Sequence, residues 1–249
     1  MLLLCHAALC LSCHAKLVPQ HAVLNQEIKD EKGYPVLLGK CTKERLQQPP
    51  FDSWFTKNYN DYHVDSATAD QLKSALTGKR LMIFMGTWCG DSRREVPRIF
   101  RILDYCGVPS SSIELIMVND ADSVYKQSPG HEEKGRDIFR VPDLLVFQDH
   151  KELGRIVESP VISLEKDLLA LLKGGDYSPN YKGAALLIHA FRETGMTEMG
   201  KDLPPLAARV KPLVASPGEL NSYAHVLRAA GEKEEAGIVL AINALIFPK

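Results

Sequence analysis

The sequence predicts an α/β fold: a mixed sheet flanked by helices, followed by a small all-helical C-terminal extension. Three observations predict it. The run Leu81-Met82-Ile83-Phe84-Met85 is apolar at every position, as a strand covered on both faces requires. Residues 92–105 then place Val96, Ile99, Phe100 and Leu103 at i, i+3, i+4 and i+7, the period of an amphipathic helix. Beyond Gly183 the apolar spacing is helical throughout, broken at Gly195, Pro204-Pro205 and Pro217-Gly218.

In chain order, residues 16–50 read as irregular, punctuated by Pro19, Gly33, Pro35, Gly39 and Pro49-Pro50, with one short strand expected at 34–38. Phe51, Trp54, Phe55, Tyr59 and Tyr62 form an aromatic cluster expected to pack on the core. Ser66 is the expected N-cap of a helix whose buried face carries Ala69, Leu72, Ala75 and Leu76 and which Gly78 ends. The strand at 81–85 and the helix at 92–105 follow. That helix turns Arg93, Arg94, Arg98, Arg101 and Asp104 outward, and Pro97 inside it is expected to kink it. A second buried strand is expected at 113–119, a short helix at 132–139 and a third strand at 144–147. The polar turn 148–151 leads into 153–157, completing an antiparallel hairpin. Leu164, Leu168, Leu171 and Leu172 mark a closing helix, stopped by Gly174-Gly175. Alternating strands and helices that end in a hairpin imply a mixed sheet with helices on both faces.

The organisation expected is a leader at 1–15, an extension at 16–63 packing on the core, a central domain at 64–173, a linker at 174–182 and helices at 183–249. The first fifteen residues are apolar and too short to span a bilayer permanently. They hold Cys5, Cys10 and Cys13, and Cys13-His14-Ala15 fits the small-x-small rule for cleavage after Ala15. Ser12-Cys13 offers an acylation point as an alternative, and a buried N-terminal helix is a third reading. Export to the periplasm or cell envelope is expected, as a lipoprotein if acylated, with a cytoplasmic location as the alternative. Cleavage leaves Cys41, Cys89 and Cys106, and an odd count in an oxidising compartment leaves one thiol unpaired. Cys41 and Cys106 could pair if their alpha carbons lie within about 7 Å.

The 30 basic and 31 acidic residues nearly balance, and no basic stripe points to nucleic acid. No integral membrane segment is expected in the mature chain. No metal spacing, phosphate loop or nucleophile elbow appears, so neither a metal nor another cofactor is expected. Asp120-Ala121-Asp122-Ser123 lacks the glycine and terminal glutamate of a calcium loop and reads as turn chemistry. His131 reads as a surface residue beside Glu132 and Glu133.

Chemistry concentrates at Trp88-Cys89-Gly90-Asp91-Ser92, between a strand and a helix. A cysteine at a helix N-terminus meets the positive end of the helix dipole, which favours thiolate and makes it a nucleophile. Asp91 opposes this as a neighbouring anion, and Arg93 and Arg94 oppose Asp91 in turn.

This segment resembles the Trp-Cys-Gly-x-Cys turn of the thioredoxin superfamily. Pro97 falls where that family's active-site helix carries a proline. Val141-Pro142 resembles its cis-proline loop, and 149–157 with Gly154 resembles its terminal hairpin. The resemblance covers about residues 64–173 and rests on the set of motifs in order. The segments 51–62 and 127–133 are similar to bacterial thioredoxin-like proteins of unassigned role. The resemblance implies thiol–disulfide exchange at Cys89, with Pro142 shaping the client site, Trp88 forming an apolar rim, and Val141, Gly90 and Asp91 meeting the client.

Ser92 stands where the family has its resolving cysteine, and Ile83 where thioredoxins often bury an acid. A lone Cys89 forms a mixed disulfide that an external thiol must resolve. Cys106, a helix length of roughly 20 Å away, is not expected to substitute. The client expected is an extended peptide, a protein thiol or disulfide, or a small thiol. The alternative is a non-catalytic binding module that uses the same groove and the helical tail. A third reading is an electron-passing adaptor whose partner supplies the missing cysteine.

In the tail, Leu220, Tyr223, Ala224, Leu227, Ala236, Leu240 and Pro248 resemble one tetratricopeptide-type helix pair turning at Gly231-Glu232, from which Asn243 departs. Residues 183–214 read as a degenerate companion. A single unit cannot bury its own faces, so docking on the central domain or pairing between chains is expected, and the tail could offer a protein partner a short groove.

Overall fold

The computed structural model describes residues 23–195, 200 and 202–248. The expected leader, with Cys5, Cys10 and Cys13, lies outside the described residues. Six strands form one mixed sheet: β1 (Gln26–Lys29), β2 (Pro35–Cys41), β3 (Lys79–Met85), β4 (Ile113–Met117), β5 (Asp143–Gln148) and β6 (Lys151–Val157). Their order is β1-β2-β4-β3-β5-β6. Strands β3 and β4 run parallel, with Met85 opposite Met117, and the other neighbours are antiparallel. The all-apolar runs anticipated this centre, because β3 is covered on both faces.

One face of the sheet presents Leu81, Ile83, Met85, Leu115, Met117, Leu144 and Val146. The short α1 (Lys43–Leu46) buries Leu46 in this core, joined by α2 (Asp52–Asn60), α3 (Ser66–Ala75), α4 (Gly90–Tyr105) and α5 (Leu164–Leu172). The aromatic cluster packs here as expected: Phe51 and Phe55 are buried, and the Phe55 ring lies 6.2 Å from that of Phe100. Helix α3 starts one residue earlier than Ser66 would set it. Asp65 is the N-cap and accepts the Thr68 N–H at 3.3 Å, because a carboxylate at a helix start satisfies an orphan amide and also meets the dipole. Helix α4 runs unbroken through Pro97.

The other face, with Met82, Phe84, Ile116, Leu145 and Phe147, is covered by Ile138 and Val141 of the β4–β5 connection. The expected helix at 132–139 is not formed. His131, Gly135 and Asp137 all have positive φ, and left-handed residues interrupt a right-handed hydrogen-bond ladder. The Arg136 carbonyl accepts instead from Arg155 Nη1 at 2.8 Å.

The tail forms α6 (Lys182–Thr194), α7 (Leu203–Val210), α8 (Pro217–Ala229) and α9 (Lys233–Ile246). These helices build a second core from Ala184, Leu187, Val210, Leu220, Tyr223 and Ile242, into which Phe139 of the β4–β5 connection projects. Asn243 is buried because it works as a link: its amide donates to Pro217 O at 3.0 Å and Asn221 Oδ1 at 2.8 Å. Glu219, also buried, reaches from the first turn of α8 to accept the Ala184 N–H near the start of α6 at 2.8 Å. The tail therefore docks on the central unit. Among the described residues no helix is long and apolar enough to cross a membrane.

Candidate functional site around Cys89

Strand β3 ends at Met85 and the chain turns through Gly86-Thr87-Trp88 into α4. Buried hydrogen bonds fix this turn. Thr87 Oγ1 accepts the Leu37 N–H at 3.2 Å, which ties the turn to β2. The Cys89 N–H donates to Gly86 O at 3.0 Å. The Gly86 N–H donates to Ser92 Oγ at 3.3 Å, and Ser92 is wholly buried. Ser92 is thus a buried brace inside the turn. Cys89 is the N-cap of α4, where the first amides of the helix point toward it and no side chain caps them. Gly90 is exposed, and Asp91 pairs with Arg94 at 2.6 Å rather than with Ser92.

The half-exposed Cys89 Sγ donates to Val141 O at 3.3 Å. The Val141–Pro142 peptide is cis and both residues are buried. Among the described residues the Val141 N–H donates to nothing. Cys89, Trp88, Val141 and Pro142, far apart in the chain, therefore converge, with Ser92 behind them.

Directly after Pro142 comes Asp143, wholly buried and 3.1 Å from Arg155 Nη1. Burial pushes its carboxyl up to about 7, against the opposing pull of Arg155. Ile83 on β3 is no acid; a buried acid, Asp143, stands on the neighbouring strand, in register with Phe84.

A second group of side chains at the site was not anticipated. The loop after β4 closes on itself, Asn119 N–H to Gln127 O at 2.9 Å and Lys126 N–H to Asn119 O at 2.8 Å. This closure sets Tyr125 against Trp88, ring centroids 6.4 Å apart, and buries Lys126 to 3% exposure. The Lys126 ammonium donates to Tyr125 Oη and lies 3.8 Å from the Tyr125 centroid and 5.9 Å from that of Trp88. Desolvation holds Lys126 down to about 7, helped by the positive Arg140 and opposed by Cys89 and Glu158. Arg140 pairs with Glu158 at 3.2 Å. From the tail, His225 stacks on Tyr125 at 4.0 Å, Ser222 Oγ donates to Phe139 O at 2.8 Å, and Gly218 O accepts from Arg140 at 2.9 Å. Helix α8 thus walls one side of the site. A periodicity reading could have flagged only Tyr125, because Lys126 sits in a polar stretch.

Among the described residues Cys89 and Cys106 are partly exposed thiols and Cys41 is buried. Cys41, Cys89 and Cys106 are all free, so the pairing of Cys41 with Cys106 is not formed. Cys41 is buried at the end of β2, where desolvation pushes its thiol up to about 12. Cys106 caps the far end of the sixteen-residue α4, roughly 25 Å along the axis from Cys89, and burial raises its pKa too. No set of three or more His, Cys, Asp or Glu side chains is placed to hold a metal among the described residues. A cleft of about 760 Å3 opens between β6 and α6, lined by Arg155, Tyr177, Tyr181 and Arg192, but it excludes Cys89. The candidate site is the thiol, where half-exposed Cys89 meets the Val141 carbonyl and buried Lys126 lies 5.9 Å from the ring of the adjacent Trp88. Comparisons of the chain with protein-family models, with curated proteins and with solved structures found no match.

Proposed function

We propose that the chain is a thioredoxin-fold protein that carries out monothiol thiol–disulfide exchange at Cys89. The observation that carries this reading is the placement of a half-exposed thiol at the N-cap of α4, against the carbonyl that precedes cis-Pro142. In the reaction, the Cys89 thiolate attacks one sulfur of a client disulfide. The client S–S bond breaks as the Cys89–client bond forms, and the electron pair leaves on the second sulfur, which takes up a proton. A small or protein thiolate then attacks the mixed disulfide and releases Cys89. Ser92 cannot perform that second step, so the thiol must come from outside. An extended client segment would pair with the free Val141 N–H, while Trp88 and Tyr125 form the apolar rim.

Glutathione disulfide is a direct probe. Folded protein exposed to it should gain one glutathione on Cys89, ahead of Cys106 and Cys41, and lose it on addition of reduced glutathione. The Cys89→Ser variant should gain none at that position. An adduct on Cys89 that forms no faster than one on buried Cys41 would rule out exchange. A second reading, a binding module, is favoured by the hydrogen bonds from α8 to the loops beside Cys89. It predicts a slow thiol and a partner held equally well by Cys89→Ser.

A further inference from the structure

We propose that Lys126 is a positioning residue of the Cys89 site, its buried ammonium serving as the counter-charge of the Cys89 thiolate. The inference rests on the exchange reading and deepens it. A buried ammonium is strongly disfavoured without an anion, so such a group is either paired or neutral. Lys126 has no carboxylate within salt-bridge distance among the described residues; its hydrogen bond goes to neutral Tyr125. The charged groups around it are already committed. Asp91 is held by Arg94 on α4, and Glu158, which follows β6, is held by Arg140. From α8, His225 faces Asp122 at 3.5 Å and stacks on the far partner Tyr125. Asp143 is held by Arg155. The anion that remains is the thiolate beside Trp88, on whose ring the ammonium borders.

Two forms of the site then carry the same number of protons: neutral thiol with neutral amine, and thiolate with ammonium. The proton moves from Sγ to Nζ, and the net charge of the pair is zero in both. Burial holds the Lys126 amine down to about 7, well below an ordinary lysine. The Tyr125 ring meets both the Lys126 ammonium, 3.8 Å from its centroid, and the stacked His225 ring at 4.0 Å.

The test uses the full chain and reads the pH profile of Cys89 alkylation by iodoacetamide. Lys126→Met keeps the apolar stem and removes the charge; Lys126→Arg restores it. The expected result is a profile displaced to higher pH in Lys126→Met, with about tenfold slower labelling at neutral pH per unit of displacement, and recovery in Lys126→Arg. Superimposable profiles for wild type and Lys126→Met would overturn the inference. A second measurement does not depend on that variant folding: the nitrogen NMR titration of Lys126 Nζ in wild type and in Cys89→Ser. Removal of the thiolate should lower the Lys126 midpoint, and an unmoved midpoint would equally overturn the pairing. If Cys89 forms a glutathione adduct but neither readout responds, the inference fails alone. If no adduct forms, the exchange reading fails instead.

Discussion

Replacing Gly86 by alanine tests the packing that holds the Cys89 turn. A Cβ at Gly86 would fall on Cε2 and Nε1 of Trp88 and within 2.8 Å of its Cζ2. The Gly86 backbone is not left-handed, so alanine is tolerated by φ, and the loss of unfolded-chain freedom would by itself favour it by about 0.4–1 kcal/mol. Sterics decide the sign. The indole is pinned by its Nε1 bond to Val118 O at 2.9 Å and by Tyr125 at its edge. Forcing extra volume into such packing costs about 1–3 kcal/mol, and losing the indole hydrogen bond about 0.5–1.5 kcal/mol more. The net expectation is destabilisation by about 2 kcal/mol, or roughly 4–8 °C in Tm for a chain of this size. The chain has two tryptophans, so a Trp54→Phe background leaves Trp88 as the single reporter. Urea unfolding should show a lower midpoint with unchanged slope, and Trp88 emission should shift to the red. A midpoint and a spectrum equal to the parent's would refute the argument, because the indole would then not be wedged on the Gly86 backbone.

Two other predictions follow from buried carboxylates. Because burial raises Asp143 above its unfolded value, near 3.9, to about 7, the folded state binds the proton more tightly across that interval. Stability relative to Asp143→Asn should therefore fall as pH rises from about 4 to 7, by up to about 1.4 kcal/mol per pH unit, and level off above; a difference flat in pH would show that Arg155 keeps the carboxylate ionised throughout. Glu219→Ala should cost about 1–3 kcal/mol in denaturant unfolding by leaving the Ala184 amide unsatisfied, and Glu219→Gln less, since one acceptor oxygen remains. Equal losses for the two variants would mean that the charge, and not the acceptor, holds α6.

What the sequence disclosed follows from how local its causes are. The strand at 81–85, the helix after it and the 144–157 hairpin were legible because burial on one or two faces writes period and apolarity directly into the chain. Strand β1 was not: its four residues alternate between exposed and half-buried, and it exists because Asp30 Oδ1 accepts the Lys32 and Tyr34 N–H groups and Gly33 takes φ +85° to fold it back. The helix expected at 132–139 fails because Gly135 and Asp137 within it are left-handed. At the site, Cys89 and Pro142 could be named from their immediate neighbours. Lys126, Arg140, Glu158 and His225 could not, because a lysine is buried only by what comes from elsewhere. Here that is a loop closure to Asn119 and a helix about a hundred residues later. Asn243 shows the same limit, since its apparent misfit in a helix pair is a hydrogen-bonded link to Pro217 and Asn221.

The Cys89 thiol donates its hydrogen to Val141 O, and only the neutral thiol has a hydrogen to give. Ionisation, alkylation or disulfide formation removes that donor and frees the carbonyl. In the exchange reading, the same oxygen is one that a client's backbone amide would seek. Resting protein and bound client therefore compete for a single acceptor, and the competition ends when Cys89 gives up its proton. The thiol acts as a stand-in ligand for its own groove, so reactivity and vacancy of the docking edge arise together from one event at one sulfur.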